Sequence, residues 1–138
     1  MTPKDICEEL LNSILPHAQA LLVKNREFYP IGEVMDADNK VTATAVFNGD
    51  EHPDSNAVIN DLIKSHRELA ANSGIVASGI AWDATITTES GKQDAVIVSL
   101  EHKDGYSVVL VQPYRIGLFK KVQFGELLAQ EGRHDVFC

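Results

Sequence analysis

Cysteine is nearly missing from this chain: 138 residues hold two, Cys7 near the start and Cys138 at the end. No disulfide framework is indicated, and a reducing compartment is the simpler setting. With Cys138 standing last, a prenylation box, which needs three residues after its cysteine, is not expected. Long apolar runs are missing too. No segment approaches the ~20 residues that span a bilayer, and the opening MTPKDICEEL carries acids where a secretory signal carries basic residues. A soluble, cytoplasmic chain with no membrane partner is expected. Clusters of Lys and Arg are also lacking, and phosphate backbones need them, which argues against nucleic acid. Arg115, Lys120 and Lys121 form a basic group too short to reverse that.

What is present is an ordinary globular mixture, 44% hydrophobic and 23% charged, enough for one core and one domain over residues 1–138. The formal charge is −8. Much of the imbalance falls in one stretch, where Glu33, Asp36, Asp38, Asp50, Glu51, Asp54 and Asp61 face only Lys40.

Thr2-Pro3-Lys4-Asp5 supplies a cap, a proline at the first helical position and an acid to complement free N–H groups. Ile6, Leu10, Ile14, Ala18, Leu21 and Leu22 follow at helical spacing, and Pro16 is expected to kink or break that helix near Leu15. Phe28 to Phe47 reads as a hairpin around the turn Ala37-Asp38-Asn39-Lys40, with Val41, Ala43, Ala45 and Phe47 alternating. Asp54 or Ser55 caps a second helix striped by Val58, Ile59, Leu62, Ile63, Leu69 and Ala70, with Gly74 past its end.

Ile75 to Thr87 reads as a long strand whose Ala77, Gly79 and Ala81 allow a helix to come close. A turn at Glu89-Ser90-Gly91-Lys92 leads into a strand from Ala95 to His102, and a strand from Tyr106 pairs back until Pro113 ends it. Short strands at Val122-Gln123-Phe124 and Asp135-Val136-Phe137, or a terminal helix, complete the chain. The fold class is α+β: two main helices and an antiparallel or mixed sheet of about five strands, ordered α-β-β-α-β-β-β. That layout is similar to the one in roadblock and profilin-like small domains, a likeness of element order that no motif carries.

Leu100 to Tyr114 raises a question of sides. With Asp104-Gly105 as a two-residue turn, Leu100 faces Val109 and Ser99 faces Leu110. Val96, Val98, Leu100, Val109 and Val111 then form a core face. Glu101, Tyr106, Val108, Leu110 and Tyr114 lie opposite with Ile97, too apolar for bare water and too polar for a dry core. Either a helix covers each face, or both helices take one face and a second subunit meets the other.

Candidate chemistry is sparse. His17, His52, His66, His102 and His134 stand at no ligand spacing, and no HExxH, CxxC, phosphate loop, nucleotide fingerprint or serine elbow is present. Neither metal nor cofactor is expected. Asp36 to Val41 begins like a calcium loop, but Lys40 and Val41 stand where a ligand and a glycine belong. Glu51-His52 and Glu101-His102 could supply acid and base, although strand neighbours point to opposite faces. Cys7 reads as an inert packed thiol, and His66 as a flank of the core.

The first expectation is a non-enzymatic interaction or adaptor domain that dimerises through the face bearing Tyr106, Val108, Leu110, Tyr114 and Glu101. A second is an acidic antidote-type protein that binds a basic toxin. A third is a ligand binder or enzyme with a cleft near Glu101 and His102. Arg115, Lys120 and Lys121 read as a solvated loop; in a functional role they would meet an acidic surface on another copy.

Overall fold

The computed structural model describes residues 1–45 and 54–137. Thr2 opens the first helix, α1 (Pro3–Asn25), with a capping box. Its hydroxyl accepts from the Asp5 N–H, the Asp5 carboxylate accepts from the Thr2 N–H, and Pro3 occupies the first turn. α1 runs through Pro16 as one helix, which corrects the alternative of two short helices meeting near Leu15. Pro16 and Asn12, whose carbonyl loses its amide partner, both lie on the exposed side, where the freed carbonyl is open to solvent. The buried stripe of Leu10, Ile14, Ala18 and Leu22 passes along the other side, untouched by the proline. Arg26 ends the helix in the left-handed conformation, its N–H donating to the Leu22 carbonyl.

The chain continues through β1 (Ile31–Met35), β2 (Val41–Thr44), α2 (Ser55–Asn72), β3 (Ala77–Thr88), β4 (Gly91–His102), β5 (Ser107–Ile116), β6 (Val122–Phe124) and β7 (Leu128–Glu131). The described part of β2 stops before Phe47, which lies outside the described residues. Asp54 caps α2 by accepting from the Ala57 N–H at 3.2 Å. The α+β class and the element order follow the sequence reading, with a seven-stranded sheet in place of about five. Its order is β2-β1-β3-β4-β5, every pairing antiparallel, and β6 and β7 share the outer edge of β5.

The β4–β5 register is displaced by one residue from the expected one. The loop holds three residues, Lys103, Asp104 and Gly105, closed by His102 N–H donating to the Tyr106 carbonyl at 2.8 Å. Gly105 takes φ 99° and donates to the His102 carbonyl at 3.0 Å, the arrangement of a turn followed by a one-residue bulge. Leu100 therefore faces Val108, and Ser99 faces Val109. Because a shift of one exchanges the faces of one strand against the other, Val96, Val98 and Leu100 share a side with Tyr106, Val108, Leu110 and Tyr114 rather than opposing them.

That side lies under α1. Ala77, Gly79 and Ala81 supply the room: a Cβ added to Gly79 would meet Leu10 of α1 at 3.4 Å and Leu100 at 3.2 Å. α1 contributes Leu10, Ile14, Ala18 and Leu22 to one core with Met35, Val96, Val98 and Leu100, and Tyr106, Val108 and Leu110 pack against it. α2 covers the opposite face over β1 and β3, with Val58 and Leu62 against Ile80. Each helix thus takes one face.

Pro113 does not end β5, which continues to Ile116. Its carbonyl accepts from the Gly125 N–H at 2.7 Å on the outer edge, and a residue's N–H and C=O point to the same side of a strand. The missing donor therefore falls where β7 has ended and β6 has not begun, so no ladder bond is lost. Asp135 to Phe137, expected as a strand or helix, forms an irregular segment instead.

Replacing Pro16 by Ala restores one amide donor to an unbroken helix, so its urea midpoint should rise, corresponding to about 1–3 kcal/mol. An unchanged midpoint would contradict the continuous helix.

Candidate functional site

The five residues expected to form one docking face do not share a side. Tyr106, Val108, Leu110 and Tyr114 lie on the α1 side of the sheet, only Tyr114 fully buried, while Glu101, paired across the sheet with Ser78 and Ser107, points to the α2 side. The flank inferred from the sequence rested on the two-residue turn; with the three-residue one Tyr106, Val108 and Leu110 join the α1 side, at whose margin they stay half-buried.

Glu101 is buried and accepts from the Val136 N–H at 3.0 Å and the Phe137 N–H at 3.3 Å, which fastens the C-terminal segment onto the sheet. Burial pushes its carboxyl upward, and the N–H donors of Val136, Phe137 and Asp135 oppose that. His102 projects to the other side, where its Nδ1 accepts from the Asp104 N–H at 3.0 Å. These two cannot act on one substrate, and Glu51 and His52 lie outside the described residues. Cys7 is buried, which pushes its thiol up to about 11 and fits an inert packed role.

The described acids of the acidic stretch have different roles, and Asp38 is simply exposed. Glu33 is buried beneath α1, accepting from the Ser13 hydroxyl and facing His17 Nδ1 at 3.5 Å. Asp36 folds the β1–β2 turn by accepting from the Asp38 and Lys40 N–H groups. Asp54 caps α2, Asp61 is exposed on that helix, and Asp50 and Glu51 lie outside the described residues.

His66 is 0% exposed and belongs to the core rather than flanking it. Its ring bridges the Thr44 hydroxyl at 2.7 Å and the Ser78 hydroxyl at 2.7 Å, tying α2 to β2 and β3. Gly32 leaves the space: a Cβ there would come within 2.8 Å of the ring. A histidine beside a serine suggests nucleophile activation, but Ser78 is only 2% exposed, which makes this a structural clamp.

Among the described residues no group of three His, Cys, Asp or Glu side chains converges as a metal site, and no described helix is long and apolar enough to cross a membrane. Among the described residues the features that face outward include a cavity of about 710 Å³ between α2, the β4–β5 loop and the C-terminal segment, lined by Arg67, Lys103, His134 and Phe137, and, at the other end of the sheet, a tip and a cleft. The tip joins β5 to β6, where Leu118 is 87% and Phe119 100% exposed. Phe119 and Lys120 take φ 61° and 56°, a left-handed conformation costing roughly 1–2 kcal/mol for a residue with a Cβ. Arg115, Lys120 and Lys121, all exposed, flank the two apolar residues along the chain.

The cleft, of about 710 Å³, lies between the end of α1, the loop into β1, and β3. Phe28, Tyr29, Pro30 and Ile31 line it beside Glu27 and Asp83. Asp83 accepts from the Tyr114 hydroxyl at 2.6 Å. Burial raises the Asp83 carboxyl, Tyr114 opposes this, and Asp94 and Glu27 raise it further as like charges. Arg26 stands nearby, but its guanidinium donates back to the Val23 and Lys24 carbonyls. Sequence reasoning missed this cleft because Glu27, Asp83 and Asp94 are far apart in the chain; the only local signal was the aromatic-proline run Phe28-Tyr29-Pro30. The chain matches no family model, no curated protein and no solved structure.

Burial moves His66 down from 6.5 to about 4. A folded-state value below the unfolded one stabilises at higher pH, so this contribution is complete above pH 6.5 and is lost as pH falls towards 4. Its size is roughly 3 kcal/mol. His66→Leu should flatten stability across that window and lower it at neutral pH by about 1–3 kcal/mol, because Thr44 and Ser78 lose their partner. Urea unfolding across the window checks this; a variant keeping the wild-type pH slope would contradict it.

Proposed function

We propose that this chain is a small protein-binding module, an adaptor rather than a catalyst, whose contact element is the β5–β6 tip. The observation that carries this is the full exposure of Phe119 in a strained backbone conformation. Burial stabilises a large apolar side chain, and strain persists where the surrounding structure or a function demands it. Phe119 gains nothing from burial in the isolated chain, while Leu118 beside it and Arg115, Lys120 and Lys121 flanking it along the chain supply an apolar anchor with a cationic rim. Such an anchor fits a protein pocket with acidic edges, since buried aromatics supply much of the energy of interfaces and rim charges steer encounter.

This differs from docking through the Tyr106 face, and it reverses the sign of the antidote reading. There the chain offers acids to a basic toxin, whereas here it offers cations. Glu33 is buried, and Asp36 and Asp54 are taken up in a turn and a helix cap, which makes the antidote reading the second choice.

A photo-crosslinking residue at position 119, introduced into the full chain in its own cells, should yield a discrete adduct of higher mass. The same residue at exposed Lys64 on α2 should not, and the Lys120→Glu, Lys121→Glu double variant should lose the adduct. Phe119→Gly should lose binding with unchanged or slightly raised thermal stability, because glycine takes the left-handed conformation freely. Absence of any specific adduct at 119, or a large loss of stability in Phe119→Gly, would overturn the reading.

A further inference from the structure

Building on that reading of the tip, we propose that its partner is a second copy of this chain, whose cleft beside Phe28 and Asp83 receives Phe119 and Leu118. The two surfaces are complementary in both respects that matter. The tip presents an aromatic and an aliphatic side chain, fully or nearly fully exposed. The cleft presents Phe28, Tyr29, Pro30 and Ile31 in a volume of about 710 Å³, within the range of ordinary binding cavities. The tip's cations Arg115, Lys120 and Lys121 match Glu27 and Asp83 at the cleft. Asp94 stands beside these acids; among the described residues there Arg26 is the one cation, and its guanidinium turns back to the Val23 and Lys24 carbonyls, so three acids face one cation and the site keeps a negative excess for an incoming cation.

Position in the fold favours a closed pair. The tip begins just after Tyr114, and the Tyr114 hydroxyl donates to Asp83 of the cleft, so tip and cleft belong to the same end of the sheet. A two-fold axis at that end lets two copies exchange tips, giving two equivalent contacts in a dimer that cannot grow further. An open head-to-tail contact would instead build chains.

Sedimentation velocity of the full chain from about 1 µM to about 1 mM covers the weak-to-moderate range of association. Conversion from monomer to dimer is expected, weakening with added salt. Phe119→Ser and, separately, Leu118→Ser should each weaken it at least about tenfold, with circular dichroism unchanged. Lys120→Glu with Lys121→Glu should weaken it also, and adding Glu27→Lys to that variant should recover part of the loss. A chain that stays monomeric throughout, or a dimer indifferent to Phe119, Leu118 and Glu27, would overturn the inference. If it stays monomeric while the crosslinker at 119 still captures a distinct protein, the second-copy assignment fails and the tip remains the contact element. If neither association nor adduct is found, both fail.

Discussion

One hydrogen-bonded loop decides what the rest of the sheet presents. His102 N–H donates to Tyr106, Gly105 donates back to His102, Asp104 N–H donates to the His102 ring, and Lys103 N–H donates to Val76 at 2.9 Å. These contacts fix three residues in the turn and set Leu100 against Val108. With one residue fewer, Val109 and Val111 would join Val98 and Leu100, and the Tyr106 flank would face away from α1. Instead the strongest apolar set gathers beneath α1, and α2 serves the other face.

Three buried polar side chains then hold the covering elements in place, each on a different one. Glu33 binds Ser13 of α1, His66 anchors α2 to Thr44 and Ser78, and Glu101 fastens the C-terminal segment through Val136 and Phe137. A buried polar group left unpaired costs about 1–3 kcal/mol, so each favours a single placement of its element over a sliding one. None is arranged to meet a substrate. The exposed apolar tip and the cleft beside Asp83 lie together at one end of the sheet.

Much of the layout was legible because its signals are local. The Thr2 and Asp54 caps, the helical stripe through Leu10, Ile14 and Ala18, and the small residues Ala77, Gly79 and Ala81 each point to one outcome. Pro16 misled because proline disrupts a helix least where its freed carbonyl can reach water, and the wet side is known only once the helix is packed. β7 was not expected: Leu127, Leu128 and Ala129 suit a helix, and only the open edge of β5 draws them into pairing. Pro113 misled in the same way, since which edge lacks a donor depends on strands far along the chain. The candidate site was the least legible part. Arg115, Lys120 and Lys121 were visible as a basic group, but nothing in a string of letters tells that Phe119 stands outside while Phe28 lines a cleft near Asp83.

The strand register beneath α1 carries the account, and proton NMR reads it directly. Alternation from the hydrogen-bonded pair His102 and Tyr106 makes Ser99 and Val109 a pair without mutual hydrogen bonds, whose Hα atoms approach most closely. A strong nuclear Overhauser effect between the Hα protons of Ser99 and Val109 is expected. A strong effect between Leu100 and Val109 in its place would restore the two-residue turn, return the Tyr106 flank to the outside, and contradict the structure described above.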